Sequence, residues 1–241
     1  MIKPKTVALV LPCFNEEIAI ASVVHEGICA LKDTGLEYEV IVVDNASTDL
    51  TVARAKNAGA RIVHCAQQGY GAALNAGIQS AVADLVVWAD GDGSYGFSEL
   101  SAMLSMLMGG ADFVIGNRFN SVSPQPRAMP FLNQYVGNPC LSWVCRVLFS
   151  SSVNDCHSGL RATRKDIYPS IKANHKDFRA ATEQVIRAIR SGLVIKEVDI
   201  SLSRTPAGRK SKLLPFVDGW KCLVMMLSEA WGQAPEKLNA D

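Results

Sequence analysis

A chain of 241 residues, 49% hydrophobic and 20% charged, has the balance of an ordinary packed globule and enough length for one large α/β domain. A formal net charge of +1 supplies no global field for nucleic acid, so any basic function must be local. Seven cysteines, odd in number and without a CxxC knuckle, read as reduced structural thiols of a cytosolic protein rather than a disulfide framework.

Residues 1–5 run straight into an apolar stretch, 6–11, too short for a cleavable signal peptide and read as a first buried strand. Further strands are expected at 39–43, 61–65, 85–89 and 113–116, with helices between them at 16–32, 49–57, 71–82 and 98–108. This alternation implies right-handed βαβ crossovers and a mostly parallel sheet flanked by helices. Ser47-Thr48-Asp49 is expected to cap the second helix, and Ser98-Glu99 to open the fourth with a carboxylate in its first turn. After Arg118 come a Ser/Pro-rich loop at 121–130, a helix ending at Phe149, a strand near 160–163, a helix at 180–190 and a strand at 194–200. A basic loop at 203–212 leads into a final amphipathic helix at 214–231. No run approaches the roughly 20 apolar residues of a spanning helix. The reading is one domain over 1–232, with a nucleotide-sugar-binding half at 1–118, an acceptor-side half at 119–232 and a tail at 233–241. The location expected is cytoplasmic, or peripheral at the cytoplasmic face of a membrane.

Ligands of open α/β sheets bind at the carboxyl ends of strands. Here those ends carry 12–16, 44–47, 67–71, Asp90-Gly91-Asp92 and Asn117-Arg118, five polar or glycine-rich loops aimed at one rim. Two carboxylates one residue apart, Asp90 and Asp92, repel each other unless a cation lies between them. Hard oxygen donors suit Mg²⁺ or Mn²⁺, which also takes diphosphate oxygens. Asp44 can accept hydrogen bonds from a base or ribose. Gly69 and Gly71 permit close backbone approach at a helix N-terminus, and Arg118 and Arg161 are candidates for phosphate contact. The same segment reads GxGxxG over 91–96, which would suggest a dinucleotide site, but it follows the fourth strand and places Asp92 where a pyrophosphate needs bare backbone. A nucleotidyltransferase would carry a Gly-rich, Lys/Arg-bearing signature after the first strand, where this chain has 12–17. A non-catalytic sugar-nucleotide-binding module is the other alternative.

As a set, several segments resemble the GT-A-fold family-two glycosyltransferases, in particular their polyprenyl-phosphate (dolichol-phosphate) mannosyl- and glucosyltransferase branch. They are Leu11-Pro12-Cys13-Phe14-Asn15-Glu16-Glu17, 43–49, Gly69-Tyr70-Gly71, 89–95, 115–119, Ser158-Gly159-Leu160-Arg161, Glu197-Val198 and 208–213. The resemblance covers about 5–228. It implies that Pro12, Phe14, Asn15 and Glu16 line the nucleoside pocket with Asp44 and Ser47. Asp90, Gly91 and Asp92 then hold the metal and diphosphate, with Asp92, Arg118 and Arg161 as catalytic residues. Arg209, Lys210 and Lys212 close over a donor or lipid phosphate. The chain departs from the family at Asn45, often a second Asp, and at Gln68, often Lys. It also lacks the membrane spans many relatives carry.

The donor implied is a UDP- or GDP-hexose. A phosphate monoester acceptor is already a nucleophile near neutrality, whereas a hydroxyl would need a base, for which Glu183 or Asp155 would serve. The aromatic-edged final helix behind the basic loop suits a membrane surface. The expected partners are thus a nucleotide sugar, a polyprenyl phosphate or other small acceptor, a membrane touched peripherally and a second copy of the chain in a homo-oligomer, but not nucleic acid.

Overall fold

A computed structural model describes residues 4–119, 137–202 and 215–232. Its centre is a seven-stranded sheet in the order β3-β2-β1-β4-β6-β5-β7. The strands are β1 (Thr6–Cys13), β2 (Glu37–Asp44), β3 (Arg61–His64), β4 (Leu85–Trp88), β5 (Phe113–Asn117), β6 (Arg161–Arg164) and β7 (Ile195–Asp199). All neighbours pair in parallel except β6, which runs antiparallel to both β4 and β5.

Alternation along β1 sorts the core into two layers. Val7, Leu9 and Leu11 face α1 (Ile20–Lys32), α2 (Thr51–Asn57) and α4 (Leu100–Met108) through Ile20, Val24, Ala55 and Leu104. Ala8 and Val10 face the other layer. It holds α3 (Tyr70–Ser80), α5 (Asn138–Phe149), α6 (Tyr168–Ile171), α7 (Arg179–Arg190) and α8 (Pro215–Trp231). Strands buried on both faces explain the continuous apolar runs VALVL and VIVV.

The expected elements are present within a few residues at each end, and one short helix, α6, had no sequence signal. The expected caps are not formed. Leu50 and Glu99 occupy the N-cap positions of α2 and α4, neither helix has a side-chain cap bond, and no acidic residue stands in either first turn. Asp49 instead ties two loops, accepting from the Thr51 amide (2.9 Å) and the Glu17 amide (3.2 Å). The first helix begins four residues later than expected, because the Ala19 and Ile20 amides both close a turn onto the Glu16 carbonyl.

The strand order reverses between β1 and β4. Chain crossing from β1 goes to β2 on one side, while β4 lies on the other, and this divergence opens a crevice at their carboxyl ends. Asp90-Gly91-Asp92 lies directly after β4, at that crevice.

Candidate active site

Parallel register brings Cys13, Asp44 and His64 level at the ends of β1, β2 and β3. Beyond them the loops interlock. Asn15, in the left-handed region at φ 53, donates its amide to Ser47 Oγ (3.0 Å) and accepts the Thr48 amide on its side-chain oxygen (2.8 Å). Asp44, 6% exposed, accepts the Ser47 amide (3.0 Å) and meets His64 Nδ1 at 3.2 Å. Glu16 is buried with its amide on Thr51 Oγ1 (2.8 Å), while Pro12 is half-buried and Phe14 exposed. The residues expected to line a nucleoside pocket are therefore neighbours across the β1 and β2 loops.

Asn45 gives the family departure a physical reason. Its side-chain nitrogen donates to the Cys65 and Gln67 carbonyls, and its oxygen accepts the Gly69 amide (2.7 Å). An aspartate there would set a carboxylate against two carbonyls.

The second rim cluster surrounds Asp90 and Asp92. A side chain on Gly91 would collide with Cys13 Sγ, so the loop is seated on the end of β1. Asp92 is 7% exposed and accepts the Ser94 amide (2.8 Å), so it is a nearly buried carboxylate and not one standing open to solvent. Asp90 lies against Gly159, where an added Cβ would stand 2.9 Å from its Oδ2. Gly159 in turn donates its amide to the Tyr95 hydroxyl (2.7 Å). Burial pushes the Tyr95 phenol up to about 12, so it stays protonated. The Tyr70 phenol is also raised well above its ordinary value, by burial first and then by the Asp90 charge.

Arg118, at the end of β5, forms a two-pronged pair with Asp155 through Nε (2.6 Å) and Nη2 (2.7 Å). The side chains are 8% and 0% exposed. Burial alone would push the Asp155 carboxyl up; the Arg118 charge and hydrogen bonds outweigh it and hold it below the usual carboxylate range. The Asp155 loop is held from β7, since Glu197 accepts the Asn154 and Asp155 amides at 2.9 and 3.0 Å.

Two features expected to meet a ligand are placed differently. Arg161 is 1% exposed, and its guanidinium donates to the Ser158, Cys156 and Ala181 carbonyls and to Gln184 Oε1. It stands inside the rim and shapes the 156–160 loop rather than facing out. At Gly69 and Gly71 an added Cβ would strike the Lys176 and His175 carbonyl oxygens. Gly69 also has φ 125, and the Gly71 amide donates to Lys176 O (2.7 Å). The close approach expected of a ligand there is made by the chain's own 174–177 loop. Glu183 holds that loop through the Asn174 and His175 amides and the His175 ring. Arg209, Lys210 and Lys212 lie outside the described residues. The last described residue before them, Leu202, bridges to Tyr95 beside the Asp92 loop.

The sequence reading gave no role to Tyr95, Gly159 or Glu197. Only the antiparallel course of β6, which brings 155–161 back to the rim beside β4, shows why they matter. The Asp90 and Asp92 pair offers hard oxygen donors, and among the described residues no group of three or more His, Cys, Asp or Glu could hold a metal ion. Such a pair suits Mg²⁺ or Mn²⁺ sharing its sphere with substrate oxygens, not a closed zinc site.

The sequence profile of Glycosyl transferase family 2 matches residues 8–170, taking in both rim clusters as far as Arg161. The chain belongs to this family. Within glycosyl transferase family 2, it is 33% identical over 228 residues to the low-salt glycan biosynthesis hexosyltransferase Agl6 of Haloferax volcanii. That match covers 94% of this chain but 54% of the relative, so the chain spans about half of that relative's length. A dolichyl-phosphate hexose transferase of the same organism is 33% identical over 212 residues, with 88% of each chain covered. The crystal structure of glucosyl-3-phosphoglycerate synthase from Mycobacterium tuberculosis, in complex with Mn²⁺, uridine diphosphate and phosphoglyceric acid, has TM-score 0.73 at 22% identity. It covers 94% of this chain and 79% of that one, and the shared fold is GT-A.

Proposed function

We propose that this family-two glycosyltransferase moves a hexose, with inversion, from a UDP- or GDP-hexose to a polyprenyl phosphate. The observation that carries the reading is the carboxylate pair Asp90 and Asp92 at the switch point, next to a buried Arg118. Attack at the anomeric carbon expels a nucleoside diphosphate, so stabilising that leaving group is the main electrostatic task. Mg²⁺ or Mn²⁺ held by Asp90 and Asp92 would supply neutralising charge there. Arg118 adds a fixed positive charge, kept in place by Asp155, and Arg161 acts as a positioning residue for the 156–160 loop. Asp44, Ser47, Asn15 and Glu16 with Pro12 and Phe14 form the nucleoside side. Arg209, Lys210 and Lys212 are assigned to a donor or acceptor phosphate.

The acceptor class is supported from two directions. A relative of matching length is named for dolichyl-phosphate hexose transfer. The two carboxylates a hydroxyl acceptor would need as base are also both committed. Asp155 is paired with Arg118, and Glu183 accepts from two amides, His175 and Arg187. Glu183 is held below its ordinary value because those donors outweigh burial. A phosphate acceptor, second pKa around 6, needs no such base. The test is turnover with sugar nucleotide, metal and a short-chain polyprenyl phosphate or its dephosphorylated alcohol. Product from the phosphate alone is expected; equal turnover of the alcohol would overturn the phosphate requirement, and turnover with neither despite slow donor hydrolysis would favour a soluble acceptor.

A further inference from the structure

The four tryptophans divide sharply. Trp88 is fully buried, whereas Trp143, Trp220 and Trp231 are 56%, 66% and 74% exposed, and all three lie on α5 or α8. With Val147, Phe216, Val217 and Val224 these two helices carry half of the large hydrophobic side chains exposed among the described residues. The other seven lie outside these two helices.

Both helices are apolar on two sides. α8 turns Cys222, Met225 and Met226 into the core, yet Phe216, Trp220 and Val224, at i, i+4 and i+8, point outward. α5 buries Ser142 and Cys145 and leaves Trp143 and Val147 outside. The two helices pack together, with Leu141 close to Gly219. A helix that only roofs a core carries polar residues on its outer side. We propose that the outward face of α5 and α8 docks the protein on an anionic bilayer surface.

Charge selects lipid over a second copy of the chain. Lys221 is exposed between Trp220 and Val224 and lies 3.6 Å from Asp218, the acidic residue of that helix's first turn, so the pair leaves the face without net negative charge. In the sequence, the twelve residues before α8 contain Arg204, Arg209, Lys210 and Lys212 and no acidic residue. Tryptophans beside lysine, behind a basic stretch, suit the headgroup region of an anionic membrane. Among the described residues no helix is long and apolar enough to cross a membrane, so α8, about 25 Å long at 1.5 Å per residue, would lie along the surface. The proposal rests on the polyprenyl-phosphate reading for its purpose: it brings the crevice to an acceptor anchored in lipid.

The experiment uses the full chain and two readouts. Co-sedimentation with phosphatidylglycerol/phosphatidylcholine vesicles, against phosphatidylcholine alone, reads docking; turnover of a detergent-dispersed short-chain polyprenyl phosphate reads the site. Wild type should bind the anionic vesicles with a blue shift of tryptophan emission, and more weakly as salt rises. Trp143→Asp/Trp220→Asp should bind at least tenfold more weakly while its turnover in detergent stays unchanged. Trp143→Ser/Trp220→Ser, with a thermal melt of each variant, separates docking from misfolding. Absence of wild-type binding, or undiminished binding by both folded double variants, overturns the proposal. So does a dimer in sedimentation velocity that Trp220→Asp dissociates without any vesicle binding, which would assign the face to a second copy. Vesicle binding without lipid-phosphate turnover would instead fault the acceptor assignment and leave docking standing.

Discussion

Asp92 is aimed by its own loop before any ligand arrives, because the Ser94 amide already holds one carboxylate oxygen. Asp92→Asn keeps an oxygen for that amide and removes the charge. Folding should therefore be retained while metal-dependent donor binding and turnover are lost; titration calorimetry with and without Mn²⁺ reads this, and wild-type metal-dependent binding in the folded variant would sink the metal assignment. Asp44→Ala should behave differently. It should weaken free nucleotide binding even without metal, by about 1.5–3 kcal/mol, roughly 10- to 150-fold, through loss of a charged hydrogen-bond partner. A change confined to metal affinity would show the pocket to be misassigned. The placement of both at the rim follows from a local pattern, an acidic residue at or just beyond the end of an apolar strand. The settings of Arg118 and Arg161 do not. Arg118 finds its carboxylate 37 residues away, and Arg161 finds Gln184 23 residues away, across a packing contact that no local periodicity encodes.

Elements explain where sequence reasoning stopped. Strand positions followed from apolar runs bounded by turn residues, but nothing in the four residues of β6 states its direction. That direction is what returns Gly159 and Asp155 to the rim, since Arg161 pairs with Trp88 and Ile115 across antiparallel ladders. The start of α3 was misread for a related reason. Its glycines, expected to permit close approach at the helix N-terminus, admit the 174–177 loop, and the Lys176 carbonyl takes two amides of the helix's first turn. Gly71→Ala tests this: its methyl would meet the His175 carbonyl and the Ala180 methyl. Overpacking of this kind costs about 1–3 kcal/mol, which should appear in urea unfolding without ligand. Unchanged stability together with weakened nucleotide binding would restore the ligand-facing reading.

At the scale of the whole molecule, ionised carboxylates join segments distant in the chain. Asp84, before β4, holds the Lys5 and Thr6 amides at the start of β1. Asp155 holds Arg118, and Glu183 on α7 holds the loop that seats α3. Each of these carboxyls is kept below its ordinary value. For Asp84 the leading cause is the Lys5 amide; for Asp155 and Glu183 burial pushes the other way and is outweighed by their partners. Depressed folded-state values mean that the unfolded chain binds more protons as pH falls. The stabilisation is fully present above the unfolded-state carboxyl values, about 4, and is lost as pH drops through the lower folded-state values. Urea midpoints should therefore stay level from about pH 6 to 8 and fall steeply below about pH 4. Glu183→Gln should lower stability at pH 7, since an amide cannot replace the carboxylate's acceptance of two backbone amides, His175 and Arg187. It should also flatten the acid slope, because one of the linked protons is gone. A variant with the wild-type slope would mean that Glu183 titrates alike in the folded and unfolded chain, its carboxylate not held by the donors around it. The same result would reopen it as a general base, and with it the hydroxyl acceptor, so this stability measurement bears on the reaction as well as on the fold.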